Sequence, residues 1–280
     1  MTKQEYFNFA QVDVAIIETG MGGRLDSTNI IHPLISIITQ IGLDHQQFLG
    51  DSIPVIAAEK AGIIKSDTTV VIGKKQKDTS EVFLSKAREV GAKLIYAGQE
   101  KFTSDLIAGY QNENLNTAFT ALKCIQEDFQ LKEDVIRKGF ESICQLTGFR
   151  GRFQKISDHP LVIMDAAHNE DGVSALVQEI NQFEDREIAL LYGASRDKSI
   201  QKILQLIPVH IPLYFCEFHS ERSLLINDFK SQSKSLDRQI NTFHSPTAAL
   251  EHLINRNTEV IIIFGSFFLM DEVIRFFDKP

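Results

Sequence analysis

The sequence predicts an α/β protein whose sheets are largely parallel, arranged as two consecutive units. Three observations carry that prediction. Short apolar runs alternate with helical patterns almost throughout the 280 residues. The alternation breaks near Asn114–Ile143, where two helical stretches follow one another with no strand between them. It then restarts at Arg152. In order, Val12–Glu18 and Ile35–Thr39 read as buried strands, each ending in polar residues. A helix is expected over Ile53–Ala61, with Gly62 at its stop. Thr69–Ile72 and Leu94–Tyr96 are further strands, separated by the helical stretch Ser80–Val90. Helices near Asn114–Gln126 and Lys132–Ile143 close the first unit. The boundary is placed at 148/149, within a linker over Gln145–Gly151. In the second unit Leu161–Met164, Ile188–Leu191, Pro212–Cys216 and Val260–Phe264 are strand candidates. Helices near Val173–Phe183, Ile200–Leu206, Thr247–Asn255 and Asp271–Phe277 are interleaved with them, and Ser231–Ser235 reads as a loop.

Bulk composition excludes several function classes. Hydrophobic residues make up 43% and charged residues 24% of the chain, as in ordinary globular proteins. The apolar runs are far shorter than a membrane span, and the residues after Met1 carry no secretory core, so a cytoplasmic location is expected. Cys124, Cys144 and Cys216 are widely spaced, which predicts buried free thiols rather than a disulfide frame or a zinc site. A net charge of −8 argues against a dedicated nucleic-acid binder. It leaves an anionic small-molecule ligand open, because a pocket needs only a few local cations.

The polar residues that follow the strands are the candidates for chemistry, since ligands of open α/β sheets bind beyond the strands' carboxyl ends. Strand Val12–Ile17 leads into Glu18 and then Thr-Gly-Met-Gly-Gly-Arg-Leu-Asp-Ser-Thr-Asn. Its glycines at 20, 22 and 23 permit tight turns and close approach. Strand Ile35–Thr39 leads to Asp44 and His45. A carboxylate and an imidazole at one sheet edge suit a divalent cation whose shell is completed by phosphate and water, although magnesium prefers oxygen ligands. The competing reading is structural: Glu18 as a helix cap and His45 as a satisfied loop histidine. Likewise Lys60 on its own reads as a solvated helix-face lysine, and Asp165 and His168 as the N-terminal cap of the helix over Val173–Phe183.

Several blocks occur together in a fixed order. They are Glu-Thr-Gly-Met-Gly-Gly-Arg-Leu-Asp-Ser-Thr-Asn (18–29), Ile-Gly-Leu-Asp-His (41–45), Phe-Leu-Gly-Asp (48–51) and Glu-Lys-Ala-Gly-Ile-Ile-Lys (59–65). Tyr-Gln-x-x-Asn (110–114), Gly-Arg-Phe (151–153), Asp-Ala-Ala-His-Asn (165–169), Asp-Lys (197–198) and Gly-Ser (265–266) follow. Over nearly the whole chain this set resembles the folylpolyglutamate synthase/dihydrofolate synthase family, a branch of the Mur-type ligases. The resemblance implies two Rossmann-like units: a central ATP-binding domain of the P-loop NTPase type over 1–148, and a Mur-ligase C-terminal domain over 149–280. It implies an ATP-dependent ligase that joins L-glutamate to dihydropteroate or a folate through an acyl phosphate. By matched position, Glu18 and His45 correspond to the family's magnesium ligands. Lys60 corresponds to a lysine that is carbamylated in the superfamily, and these three form the expected catalytic set. Asn114, Arg152, Asp165, His168 and Ser266 correspond to nucleotide-binding positions. Asp197 and Lys198 receive no role.

The chain also departs from the family pattern. No Gly-x-x-x-x-Gly-Lys-Ser/Thr string occurs, and Gly73-Lys74-Lys75 lacks both the first glycine and the hydroxyl residue. The resemblance therefore implies an incomplete central domain, little ligase activity from the chain alone, and a separate N-terminal P-loop segment as a partner. Arg150 stands where proline is common, and Ala166 where glycine is usual. Two other readings stay open: a cell-wall Mur-type amino-acid ligase, and a non-catalytic nucleotide-binding remnant. Neither nucleic acid nor membrane is expected as a partner.

Overall fold

The computed structural model describes residues 3–197, 200–234, 236 and 238–278. Contacts group the chain into two compact units. The first is Met1–Gln99 with Asn116–Lys132, and the second is Glu100–Leu115 with Glu133–Pro280.

In the first unit the elements are α1 (Lys3–Ala10), β1 (Ile35–Ile38), α2 (Gln46–Leu49), α3 (Ile53–Lys60), β2 (Thr69–Ile72), α4 (Lys77–Val90) and β3 (Lys93–Tyr96). Helix α5 (Gln111–Cys124) starts among residues of the second unit and ends among those of the first. The three strands pair in parallel in the order β1-β2-β3. The middle strand, Thr-Val-Val-Ile, is β-branched throughout, and Val70, Val71 and Ile72 are buried. Helices α3 and α4 cover the sheet through Ile56, Ala57, Phe83 and their neighbours, which form one core with Ile38, Ile41 and Leu49. Gly91 ends α4 in the left-handed conformation (φ 71°), the role glycine fills most cheaply.

The expected strand at Val12–Glu18 is not formed. The segment is irregular, and Val12, Val14 and Ile16 are 43%, 54% and 90% exposed. Alternating β-branched residues supply strand propensity, but a strand exists only through a ladder, and among the described residues no strand pairs with this run. Two smaller expectations also fail. The proposed linker Gln145–Gly151 begins inside helix α7 (Ile143–Thr147), which Gly148 caps at φ 67°. Of the three cysteines only Cys216 is buried, while Cys124, the last residue of α5, is exposed.

The second unit contains α6 (Glu133–Glu141), α7, β4 (Gln154–Asp158), β5 (Leu161–Asp165), α8 (Glu170–Ile180), β6 (Ile188–Tyr192), α9 (Ile200–Leu206) and β7 (Leu213–Cys216). They are followed by α10 (Ile226–Ser233), β8 (Asn241–Phe243), α11 (Pro246–Asn255), β9 (Val260–Phe264) and α12 (Phe267–Phe277). The loop expected at Ser231–Ser235 is therefore partly helix, and Ser235 lies outside the described residues. The sheet order is β4-β5-β9-β6-β7-β8, parallel except for β4 at one edge.

Strand β9 is the centre of this sheet, and its side chains alternate between two cores. Val260, Ile262 and Phe264 pack with residues of α8, α9 and α10. Ile261 and Ile263 pack with those of α11 and α12. All five are at most 1% exposed, which explains why the strand reads as a continuous apolar run rather than an alternating one. The layout brings the carboxyl ends of β5, β9 and β6 side by side. No helix among the described residues is long and apolar enough to cross a membrane.

Candidate functional site

Two groups of candidate residues form, one in each unit. In the first unit the block 18–29 docks on the block 59–65, which spans the end of α3 and the residues that follow it. The Arg24 amide donates to the Glu59 carbonyl at 2.8 Å, and Arg24 Nε and Nη2 donate to Glu59 Oε1 at 3.1 and 2.9 Å. Asn29 Nδ2 bridges the two blocks, donating to the carbonyls of Arg24 (3.2 Å) and Gly62 (3.1 Å). Lys65 Nζ donates to the Asn29 carbonyl at 2.8 Å. The approach is closest at Gly62, where a Cβ would stand 2.3 Å from Arg24 Cα. At Gly23 a Cβ would meet the Glu59 carbonyl oxygen at 2.9 Å. The two blocks are the halves of one backbone-to-backbone contact, and two glycines make the contact possible.

Asp26 shapes the turn between Glu18 and Arg24. Its Oδ2 accepts the amides of Gly20 and Met21, both at 2.9 Å. Its Oδ1 accepts the amide of Thr28 (2.9 Å) and the Thr28 hydroxyl (2.6 Å). Four donors stabilise the charged form, and the Thr28 hydroxyl contributes most to lowering its pKa to about 2.

The opposite wall is the block 41–45, which a side chain outside every block fixes. Gln76 Nε2 donates to the Ile41 carbonyl at 2.8 Å, and Gln76 Oε1 accepts the Ile41 amide at 2.9 Å. His45 follows in the left-handed conformation (φ 51°), with its amide donating to Asp44 Oδ1 at 2.8 Å. His45 occupies the N-cap position of α2 without a side-chain cap bond, while no helix starts at Glu18, so the alternative reading of Glu18 as a helix cap fails.

Between these walls lies a cavity of about 220 Å³ lined by Glu18, Thr19, Gly20, Met21, Gly22, Gly42, Asp44, His45, Leu49, Ile56 and Lys60. Glu18, His45 and Lys60 are thus brought together. Among the described residues no cluster of three or more His, Cys, Asp or Glu side chains could hold a metal by itself. A carboxylate, Glu18, and an imidazole, His45, beside an open space still fit magnesium. That ion takes one or two protein carboxylates and leaves the rest of its shell to water and phosphate.

The second group gathers at the carboxyl ends of β5, β9 and β6. Arg152 lies over the Phe267 ring (5.0 Å to its centroid), and the His168 and Phe267 rings are 6.4 Å apart. Ser266 caps α12 by accepting the Phe268 amide, and its hydroxyl is 3.4 Å from that of Ser195. His168 Nδ1 is 2.9 Å from the Ala166 carbonyl, which can only accept, so Nδ1 carries a proton. The cap of α8 is Asn169, whose side chain accepts the Gly172 amide. The alternative assignment of Asp165 and His168 as that cap therefore fails. Asp165 is only 3% exposed, and it accepts the amides of Phe153 (2.8 Å) and Ala167 (2.7 Å) and the phenol of Tyr110 (2.5 Å). Asn114 is exposed in the first turn of α5, where its Nδ2 donates to Gln111 Oε1 at 2.8 Å. Asp197 is exposed, and Lys198 lies outside the described residues.

Sequence reading missed Gln76, Asp26 and Tyr110 as organisers of these groups. The last two stand inside the quoted blocks, so position within a block was the available signal. Gln76 had none.

Two outcomes follow for the first unit. Gly62→Ala forces a methyl against the Arg24 backbone, and overpacking of this kind costs about 1–3 kcal/mol. Denaturant unfolding is expected to show that loss, with block 18–29 displaced from α3. Asp26 has a folded pKa below its unfolded value, so its contribution is present above about pH 4 and fades as pH falls toward 2. Acid titration of unfolding should show that dependence in the native chain, and Asp26→Asn should flatten it.

Residues 151–267 match the family model described as "Mur ligase, glutamate ligase domain". A dihydrofolate synthase/folylpolyglutamate synthase of Buchnera aphidicola subsp. Acyrthosiphon pisum is 31% identical over 95% of this chain and 67% of its own length. The chain spans 68% of the Bacillus subtilis relative and half of the Lacticaseibacillus casei one. A Mycobacterium tuberculosis folylpolyglutamate synthase, solved with ADP and AMPPCP, superposes with a TM-score of 0.82 at 27% identity, covering 98% of this chain and 71% of that one. A bifunctional folylpolyglutamate synthase/dihydrofolate synthase with Mn, AMPPNP and L-glutamate bound gives 0.79 at 26%, over 97% of this chain and 68% of that one. Coming after nine ordered blocks and two α/β units, these similarities establish that the chain belongs to the folylpolyglutamate synthase/dihydrofolate synthase family of ATP-dependent ligases.

Proposed function

We propose that this chain serves in the ATP-dependent attachment of L-glutamate to dihydropteroate or to a folate. The observation that carries this reading is the gathering of Glu18, His45 and Lys60 around one cavity by three sequence blocks that are far apart in the chain. In the reaction, a substrate carboxylate oxygen attacks the γ-phosphorus of ATP, and ADP leaves. The glutamate amine then attacks the acyl phosphate carbon, losing a proton, and inorganic phosphate departs as the amide forms.

The cavity's residues have separate tasks. Glu18 and His45 are the proposed ligands of Mg2+, which when bound offsets negative charge on the phosphates. Lys60, at the end of α3, supplies positive charge toward the transferring phosphoryl group. As a carbamate it would instead present an anion to the cation. Asn114, near the start of α5, and Arg152, Asp165, His168 and Ser266 are the proposed nucleotide-binding set. The half-buried guanidinium and ring of Arg152 and His168 contact the ligand directly, and the buried Asp165 carboxylate shapes the turns around them. We assign residues 1–148 to the central ATP-binding domain and 149–280 to the C-terminal domain, a division supported by the family match beginning at 151.

The 280 residues contain no P-loop string, so we propose that the phosphate-holding amides come from an N-terminal segment outside these residues. We propose a cytoplasmic location, where ATP and folates are both available.

The test is glutamate-dependent ADP release with ATP, magnesium and dihydropteroate or tetrahydrofolate, with and without the N-terminal segment of a related enzyme. Activity is expected only with the segment, and Glu18→Ala or Lys60→Ala should then lower kcat by about 10²–10³. Activity of the chain alone would contradict the need for the segment. A folded, complemented protein without activity would favour a nucleotide-binding remnant.

A further inference from the structure

Tyr110 belongs to the Tyr-Gln-x-x-Asn block, and the proposed reaction gives it no task. Its surroundings do. The phenol donates to Asp165 Oδ2 at 2.5 Å, and the same oxygen accepts the Phe153 amide at 2.8 Å. Asp165 Oδ1 accepts the Ala167 amide at 2.7 Å. One carboxylate therefore fixes the residue after Arg152 and the residue before His168. A third bond closes the arrangement, since the Ala166 amide donates to the Gly151 carbonyl at 2.8 Å.

The turn that carries Arg152 needs such a hold. Gly151 has φ 80°, and Phe153 has φ 48°, a conformation that costs a non-glycine residue about 1 kcal/mol or more. Phe153 is nevertheless 1% exposed and packed in the core. Tyr110 itself is held from a second side. Its amide donates to Glu179 Oε1 at 3.3 Å, and at Gly109 a Cβ would meet that same oxygen at 2.9 Å. The phenol's pKa is raised, first by burial and then by the neighbouring Asp165 charge, so it stays a proton donor at neutral pH.

We propose that Tyr110 is a positioning residue, whose hydroxyl locks the Asp165 carboxylate and through it orients Arg152 and His168 for an anionic ligand. It touches no reacting atom. Phenol and carboxylate act as a brace between the start of α5 and the end of β5, so the Tyr-Gln-x-x-Asn and Asp-Ala-Ala-His-Asn blocks work as a pair. The ligand in this proposal is the nucleotide of the reading above, while the brace stands on geometry alone.

The test is Tyr110→Phe, which keeps the ring and removes only the hydroxyl. A hydrogen bond to a charged group is worth enough that amide hydrogen exchange at Phe153 and Ala167 should speed up about ten- to a hundredfold, with exchange in β9 unchanged. The ultraviolet difference spectrum between the two proteins should show a tyrosine band shifted to the red, as for a phenol donating to a carboxylate. ADP affinity, measured by calorimetry on the complemented protein, should fall about tenfold. Unchanged exchange at both amides in folded Tyr110→Phe would overturn the proposal, and so would faster exchange with full ADP affinity. If neither protein binds ADP while exchange still speeds up at both amides, the brace is upheld and the nucleotide reading is what fails. Should Tyr110→Phe not fold, the hydroxyl proton of Tyr110 in the unaltered chain gives the second readout: slow exchange with water is expected, and exchange as fast as a free phenol's would overturn the proposal.

Discussion

The close contact of block 18–29 with the end of α3 is the constraint on which the candidate site depends. Its strength is not in the Arg24–Glu59 ion pair, whose side chains are 57% and 25% exposed, since surface pairs contribute about 1 kcal/mol or less. It lies in backbone proximity. Gly23 and Gly62 remove the two side chains that would hold the segments apart, and Asn29 ties the carbonyls of both. Glu18 thereby comes to the same cavity as Lys60, although 41 positions separate them in the chain.

The second unit follows the same logic with a different device. Its sheet buries β9 on both faces, and the strand ends deliver Asp165, Gly193–Ser195 and Gly265–Ser266 side by side. Arg152 and His168, both half-buried, are carried on turns and not on the strands, and the exposed Phe267 opens α12. Buried hydrogen bonds to Asp165 hold two of those turns. The carboxylate is desolvated, which raises its pKa, while Tyr110, Ala167, Arg152 and Phe153 act in the opposite direction. A buried carboxylate with three donors is costly to disturb, and this makes it suited to fix geometry.

Much of this was legible in the sequence, for physical reasons. Buried parallel strands such as Val260–Phe264 and Leu161–Asp165 announce themselves as continuous apolar runs. The edge strands Gln154–Asp158 and Asn241–Phe243 do not, because their side chains are largely polar and each is at an edge with a single neighbouring strand. Val12–Glu18 misled in the opposite direction: its residues have strand propensity, yet propensity makes no ladder. Glycine-rich blocks revealed where backbones approach, but not what they approach. That Gly62 faces Arg24, or that Gln76 clamps Ile41, depends on tertiary contacts that no local pattern encodes.

If docking of 18–29 on α3 builds a binding place for a divalent cation around Glu18 and His45, the isolated chain should hold that cation there. Manganese binding to the purified chain, followed by electron paramagnetic resonance, tests it most directly. The account predicts one saturable site, lost in Glu18→Ala and weakened about tenfold or more in Asn29→Ala, a residue that does not line the cavity. Manganese binding that is equal in all three proteins would contradict the claim.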